Sequence, residues 1–344
     1  MAEYNKHYHR INMMKALVFT ANQEMTFRDE PEPQLSPGDA LIAVESVGIC
    51  GSDMHAYLGH DERRVPPLIL GHEAVGTVLQ GSSPGQKVVL NPLITCGSCD
   101  DCLSGRQNLC AERDLIGMYR AGAFAEQIVI PERNLIPVPS DMSAAKAALT
   151  EPGATGLHAV LLAERASARP ISETRALVLG AGSVGLLTAL ILLDKGVTHV
   201  DLAETNALRR KTVEKHTECN VFDPLQSPAE AMSYDLVFDA VGNSITRQSS
   251  IASVRSGGVI VHIGLMDNRG EMDVRAMTLR EITFIGAYTY TPVDLQRTLQ
   301  KLYSGALGSL EWIEQRHLAE GARAFEELNS GLCAAPKIVL NTPL

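Results

Sequence analysis

Three groups of residues in this 344-residue chain have the types and spacing to do chemistry. Cys96, Cys99, Cys102 and Cys110 run as C-x2-C-x2-C-x7-C, four of the seven cysteines inside fifteen residues. In a reducing compartment so tight a cluster points to a metal before disulfides. Four thiolates on a short loop can close a tetrahedron around Zn²⁺, and a four-sulfur shell leaves no open position. Such a site is structural: it pins a long loop that has little core of its own. An iron–sulfur cluster is the alternative occupant, but nothing nearby suggests an electron-transfer partner.

The second group is Gly180-Ala-Gly182-Ser-Val184-Gly185, a G-x-G-x-x-G run. It follows an apolar strand and opens a helix, the context a dinucleotide fingerprint requires. The glycines permit a tight turn, close backbone approach to a pyrophosphate, and helix–strand packing, while the helix N-terminus supplies N–H donors. An acid about 20 residues on binds the ribose hydroxyls. Glu204 stands nineteen residues past Gly185, and its rival Asp201 falls inside the strand HVDLAE. A carboxylate there repels a 2′-phosphate, so NAD is favoured over NADP, although Arg209 and Arg210 lie close by.

The third group is Cys50-Gly-Ser52-Asp-Met-His55 with Gly71-His72-Glu73. A catalytic zinc needs three protein ligands and one exchangeable position. Cys50 and His72 can provide two of them, and a carboxylate the third. Two carboxylates are candidates: Glu73, adjacent to His72, and Glu151.

The elements that must hold these groups change along the chain. Up to about residue 150, short β-type runs (KALVFT, ALIAVESVG, AVGTVLQG, QKVVLNP, AEQIVIP) are punctuated by Pro and Gly, the texture of an antiparallel, barrel-like β domain. After Glu151-Pro152 the rhythm becomes strand, Gly-rich turn, apolar helix, strand, which is that of a βαβ unit. Further strands are expected at DLVFDAVG, GVIVHIG and ITFIGAY. Helices are expected in THVDLAETNALRRKTVEK, SITRQSSIASVRS and PVDLQRTLQKLYSG, and a final strand at KIVL.

Composition bounds the function. Hydrophobic residues make up 45% and charged residues 20%, as in an ordinary globular protein. Lys+Arg is 30 against Asp+Glu 40, a net charge of −10, which argues against a nucleic-acid binder. The longest apolar run, near Val184–Leu193, is about half the ~20 residues needed to cross a bilayer. The N-terminus MAEYNKHYHRINMM lacks an apolar core and a cleavage site, so it is not read as a secretory signal. A cytoplasmic protein is expected, with a polar extension before Met13 in which His7 and His9 are solvated. His158 is expected either to line the site or to pack.

CGSDMH, GHEAVG, the CGSCDDC lobe, AFAEQIVIP, EPGATGLHA, GAGSVG and DLVFDAVG occur in family order. Together they resemble the zinc-dependent medium-chain alcohol dehydrogenases, and the resemblance runs from Met14 to the end. GHE followed by EP looks like the sorbitol/polyol and L-threonine dehydrogenase branch. The implied fold is α/β: a GroES-like β-barrel catalytic domain, residues 1–150 completed by 291–344, and a Rossmann doubly wound parallel-sheet NAD-binding domain, residues 151–290.

By that resemblance, Cys50 and His72 are catalytic zinc ligands, and Glu73 and Glu151 share the carboxylate position. A second Zn²⁺ belongs to the four cysteines. Glu204 and Arg209 contact the adenosine side of NAD, and Val184, Val241-Gly242 and Ile263-Gly264-Leu265 line the cofactor. Zn²⁺ lowers the pKa of a substrate alcohol, and the proton leaves through Ser52 and His55. The expected reaction takes a hydride from a secondary alcohol of a polyol, sugar or sugar acid to NAD⁺, giving a ketone.

Two departures argue against glucitol itself. Ala56 stands where many polyol dehydrogenases carry Tyr, and Thr289 where sorbitol-type enzymes carry Arg before Tyr290. The nearest enzyme alternative is L-threonine 3-dehydrogenase. A catalytically silent NAD-binding regulator is the alternative from another class, and the presence of Ser52 and His55 argues against it. Zinc-free quinone reductases are excluded, since they lack both metal groups. The resemblance further suggests a homo-oligomer, a dimer or a homotetramer.

Overall fold

The computed structural model describes residues 12–342. The N-terminal extension, with His7 and His9, lies outside the described residues. The strand Asp39–Gly48 sits at the middle of a largely antiparallel seven-stranded sheet. Its side chains alternate between buried and half-buried, as a strand with one face on a core requires. It pairs with Glu73–Gln80 and Gln127–Pro131, and the C-terminal strand Lys337–Asn341 returns to lie antiparallel beside it. The chain end is thereby brought to the first strands, next to Cys50 and Glu73.

The middle of the chain forms a six-stranded sheet, parallel throughout. Its order is Asn220–Phe222, His199–Ala203, Arg175–Leu179, Tyr234–Asp239, Val254–His262, Thr283–Gly286. This is the doubly wound Rossmann order, reversing direction between Arg175–Leu179 and Tyr234–Asp239. Arg175–Leu179 reads RALVL, an unbroken apolar run from Ala176, because helices cover the sheet on both faces.

Two helical expectations shift. THVDLAETNALRRKTVEK is helical only over Ala207–His216, with Asn206 capping it through bonds from the N–H groups of Leu208 and Arg209. Its first residues are the strand His199–Ala203. In SITRQSSIASVRS the helix ends at Ser253, because Val254 turns extended and opens the next strand.

The helix Thr150–Ala166 joins the two parts. One buried apolar cluster holds its Leu157 and Val160, Val75 and Val89 from the β part, and Leu186 and Leu236 from the parallel-sheet part. Trp312 is buried in the same cluster. Among the described residues, no helix is long and apolar enough to cross a membrane.

Candidate active site and metal centres

Cys50 precedes the short helix Gly51–Tyr57, and its N–H donates to Asp53 Oδ2 at 3.0 Å. Asp53 is fully buried, and its other oxygen takes the Gly71 N–H at 3.4 Å and lies 3.5 Å from His72 Nδ1. One carboxylate thus ties the CGSDMH turn to GHE and faces one ring nitrogen of His72, leaving the other for a ligand role. Burial pushes the His72 pKa down, but Asp53 and Cys50 outweigh it and hold it well above the ordinary value. Donor atoms of Cys50, His72 and Glu73 lie within 4.8 Å of one another. At 3.5 Å from Asp53, buried His72 Nδ1 makes an electrostatic contact but no hydrogen bond among the described residues. A thiol, an imidazole and a carboxylate converging in a buried site suit a zinc ion.

The two candidate carboxylates differ in their partners. Both oxygens of Glu73 accept from Lys337 Nζ, at 2.8 and 2.6 Å, and Lys337 also donates to the Ile49 carbonyl at 2.7 Å. A Cβ at Gly48 would lie 2.0 Å from Glu73 Oε2, so this approach requires glycine. Glu151, in the first turn of Thr150–Ala166, accepts from the Tyr290 hydroxyl at 2.9 Å. Burial is the main cause that lifts its pKa to about 7, with the like charge of Glu73 adding to it. His72, the Tyr290 bond and Lys337 pull the other way. Glu73 therefore owns a fixed counter-cation, whereas Glu151 is bonded to a neutral phenol.

Ser52 and His55 lie three residues apart on Gly51–Tyr57, hence on neighbouring positions of one helix face. Ser52 Oγ accepts from Arg64 Nη2 at 3.3 Å. Arg64 is buried, held by its Nε bond to the Gly117 carbonyl at 2.9 Å and by Asp61. The His55 pKa is lowered by burial and by His60, whose ring centroid is 6.1 Å away.

In the four-cysteine lobe all four sulfurs lie within 4.8 Å of one another. Cys96 is 3.8 Å from the Cys102 sulfur and 3.6 Å from that of Cys110. A tetrahedron with Zn–S bonds of about 2.3 Å has edges of about 3.8 Å, so the sulfurs match that metal. The N–H groups of Ser98 and Cys99 lower the Cys96 pKa to about 6, favouring the thiolate a ligand must be.

The glycine run sits at the carboxyl end of Arg175–Leu179. Gly180 has φ +94°, and a Cβ at Gly185 would meet the Gly180 carbonyl oxygen at 1.9 Å. A Cβ at Gly182 would meet nothing within 4 Å, so the protein's own packing does not demand that glycine, whereas a pyrophosphate approaching the backbone does. Val184 is in the first turn of the helix Ser183–Asp194. Glu204 Oε2 accepts from the Ala181 N–H at 2.9 Å and from Arg209 at 3.2 Å, and Oε1 accepts from the Asn206 N–H at 2.8 Å. Glu204 therefore ties the glycine turn to the neighbouring strand end. Across the switch point, Val241-Gly242 and Ile263-Gly264-Leu265 cross closely: a Cβ at Gly242 would lie 2.0 Å from the Gly264 carbonyl oxygen. Fully buried Asp239 fixes that crossing by accepting the N–H groups of Val241 and Gly242.

Asp53, Lys337, Arg64, Asp239 and Tyr290 are the members sequence reasoning left unassigned. Asp53 lies inside a quoted motif, and Arg64 inside a loop whose charges have no spacing signal. Lys337 stands 264 residues from Glu73. His158 is held by Asp294, its Nδ1 lying 2.8 Å from Oδ2.

The comparisons with known proteins agree with this geometry. The Alcohol dehydrogenase GroES-like domain family matches residues 36–140, and the Zinc-binding dehydrogenase family matches residues 183–304. The L-galactonate-5-dehydrogenase of Escherichia coli (strain K12) is 30% identical over 311 residues, 86% of this chain and 89% of that one. An L-threonine 3-dehydrogenase of Chelativorans sp. (strain BNC1) is 30% identical over 349 residues, 96% and 99% of the two chains. The acetophenone reductase of Geotrichum candidum NBRC 4597, solved in complex with NAD, superposes with a TM-score of 0.85 at 27% identity, covering 96% of this chain and 97% of that one. With two zinc-type donor groups and a Rossmann glycine turn in one chain, these relatives place it: it belongs to the zinc-dependent medium-chain alcohol dehydrogenases and is a zinc- and NAD-dependent oxidoreductase.

Proposed function

We propose that the enzyme oxidises a secondary alcohol of a polyol, sugar or sugar acid to the ketone, with NAD⁺ as acceptor. The observation that carries this reading is the convergence of Cys50, His72 and Glu73 within 4.8 Å, with Ser52 and His55 on the helix that Cys50 opens. Cys50, His72 and a carboxylate would hold a Zn²⁺, which would supply the acidity an alcohol needs, and the glycine turn would hold the NAD⁺ that accepts the hydride. Glu73 and Glu151 would share the carboxylate position: Glu73 converges on Cys50 and His72 while paired with Lys337, and Glu151, bonded to Tyr290, is close enough to feel the Glu73 charge.

The chain's own residues handle the proton. A hydroxyl has one hydrogen and two lone pairs. Arg64 fills one lone pair of Ser52, which leaves the other to receive the substrate's proton and the hydrogen to be passed on. His55, whose pKa lies below the ordinary value, is neutral at pH 7 and can accept a proton toward solvent.

Relatives named for a sugar acid, a polyol and a polyol phosphate support the substrate class. Those named L-threonine 3-dehydrogenase keep a β-hydroxy amino acid as the second reading. The same proposal takes residues 1–150 with 291–344 as the catalytic domain, 151–290 as the coenzyme domain, and a cytoplasmic homodimer or homotetramer as the assembly.

NAD⁺ reduction followed at the NADH band, across polyols, sugar acids and L-threonine with chelator-treated controls, tests it. Chelator-sensitive turnover on a polyol or sugar acid is expected. Turnover on L-threonine alone moves the substrate to the second reading. No turnover in a protein that binds both zinc and NAD removes the enzyme reading in favour of a silent regulator.

A further inference from the structure

We propose that the four-cysteine lobe positions Glu151, with Asn108 as the positioning residue and Tyr288–Tyr290 as the link. The inference rests on Glu151 belonging to the metal site of the proposed function. Asn108 lies on the 3-10 turn Gln107–Leu109, directly before Cys110, and is 3% exposed. Its Nδ2 donates to the Tyr288 carbonyl at 2.9 Å, across 180 residues of sequence. Arg113 grips the same residue, with Nε 3.3 Å from the Tyr288 hydroxyl and its guanidinium carbon 4.8 Å from the ring centroid. Its Nη1 donates back to the Cys110 carbonyl at 2.8 Å.

The next residue makes this grip informative. Thr289 has φ +48°, a left-handed conformation that a β-branched residue seldom adopts. Its hydroxyl is buried with no hydrogen-bond partner among the described residues, so its own side chain does not stabilise the kink. Such a conformation persists only where its surroundings over-determine it. Among the contacts that flank it are Asn108 and Arg113 on Tyr288, the Tyr290 hydroxyl on Glu151 at 2.9 Å, and the packing of Tyr290 against Ala154 and Leu295. The lobe is thereby connected to Glu151 through three consecutive residues.

The lobe also has no apolar core from which to take its shape. None of residues 96–113 joins the buried apolar clusters, so the four sulfurs and the metal they suit must fix where Asn108 points. A site with no open position would then serve catalysis at a distance, by keeping the Glu151 carboxylate in place.

The test is the release of metal from the holoenzyme to a chromogenic chelator, with total metal counted by elemental analysis. A Cys50→Ala variant assigns the kinetic phase of the catalytic site. Removing a partner of a ligand commonly costs ~10-fold or more in metal retention. Asn108→Ala is expected to keep both metals yet release the catalytic one ~10-fold faster, and Tyr290→Phe to do the same. The double variant is expected to be no faster than Tyr290→Phe alone, which a merely structural role for Asn108 does not produce. Should Asn108→Ala fail to fold, Arg113→Met, at an exposed position, is expected to accelerate the same phase to a smaller degree. A wild-type release rate in every folded lobe variant overturns the inference, as does a double variant whose effects multiply. A Cys50→Ala variant that holds as much metal as wild type, with the same release phases, instead overturns the catalytic-site reading itself.

Discussion

Glu73 and Lys337 form an ion pair with side chains 0% and 1% exposed, and its worth lies in what breaking it would leave behind. Removing one partner of a buried pair typically costs about 3–5 kcal/mol, because the other charge stays enclosed. Lys337→Met is expected to lose stability on that scale in urea unfolding of the metal-free protein. Adding Glu73→Gln should restore more than half of it, and a Lys337→Met variant as stable as wild type would show that solvent or another group reaches Glu73. Ser52→Ala is expected to lower kcat by about 100-fold or more with little change in KM, since a proton acceptor acts in the reaction step rather than in binding. Equal losses in a binding measurement would contradict that role. The contrast between these residues shows what the sequence could reveal. Cys50, His72 and the four cysteines are legible because their ligand types recur at short spacing. Lys337 carries no such signal: it reaches Glu73 only because Lys337–Asn341 pairs with Asp39–Gly48, and pairing is a tertiary fact.

The helix Pro292–Tyr303 shows how an element's end can hold two others together. Asp294 accepts from the Thr291 N–H at 3.0 Å and the Thr291 hydroxyl at 2.8 Å, and from His158 on the helix Thr150–Ala166. Burial alone would raise its pKa, but the bonds from His158 and Thr291 outweigh it and hold the group below 3.8. A depressed carboxylate pKa contributes stability above the ordinary value that is lost as pH falls through the folded-state value. Asp294→Ala is therefore expected to cost about 1–2 kcal/mol at pH 7, and the gap to wild type should shrink as the pH drops below 3.8. A gap independent of pH would assign the loss to packing. Gly242→Ala belongs to the same scale, because a Cβ there meets the Gly264 carbonyl oxygen at 2.0 Å and φ is +77°. If that crossing lines the coenzyme as proposed, the variant is expected to weaken NAD binding at least 10-fold, read by NADH fluorescence titration. Strand and helix types were readable from period and punctuation, yet the end of Ser244–Ser253 was not. Val254 leaves the helix to pair with Tyr234, and nothing local in SITRQSSIASVRS announces that partner.

At the scale of the whole molecule, the division into a β part and a parallel-sheet part, evident in the change of texture after Glu151-Pro152, does not extend to the core. Val75, Val89, Val138 and Val339 from the β part share a buried cluster with Leu157, Leu186 and Leu236. A contiguous apolar core across two units couples their unfolding, whereas a polar interface lets them melt apart. The sequence announces the two textures because each has its own period, but the shared cluster arises from residues hundreds of positions apart. A single calorimetric transition is therefore expected for the zinc-loaded enzyme. NAD⁺ at 100 times its Kd should stabilise the folded state by about 2.7 kcal/mol and move that whole transition upward. Two separated transitions, with NAD⁺ shifting only one, would mean that the shared cluster does not couple the units. In that case ligand binding on the parallel sheet could not steady the strand that carries Glu73, and the orientation of the metal site would depend on the contacts at Glu151 and Tyr290 alone.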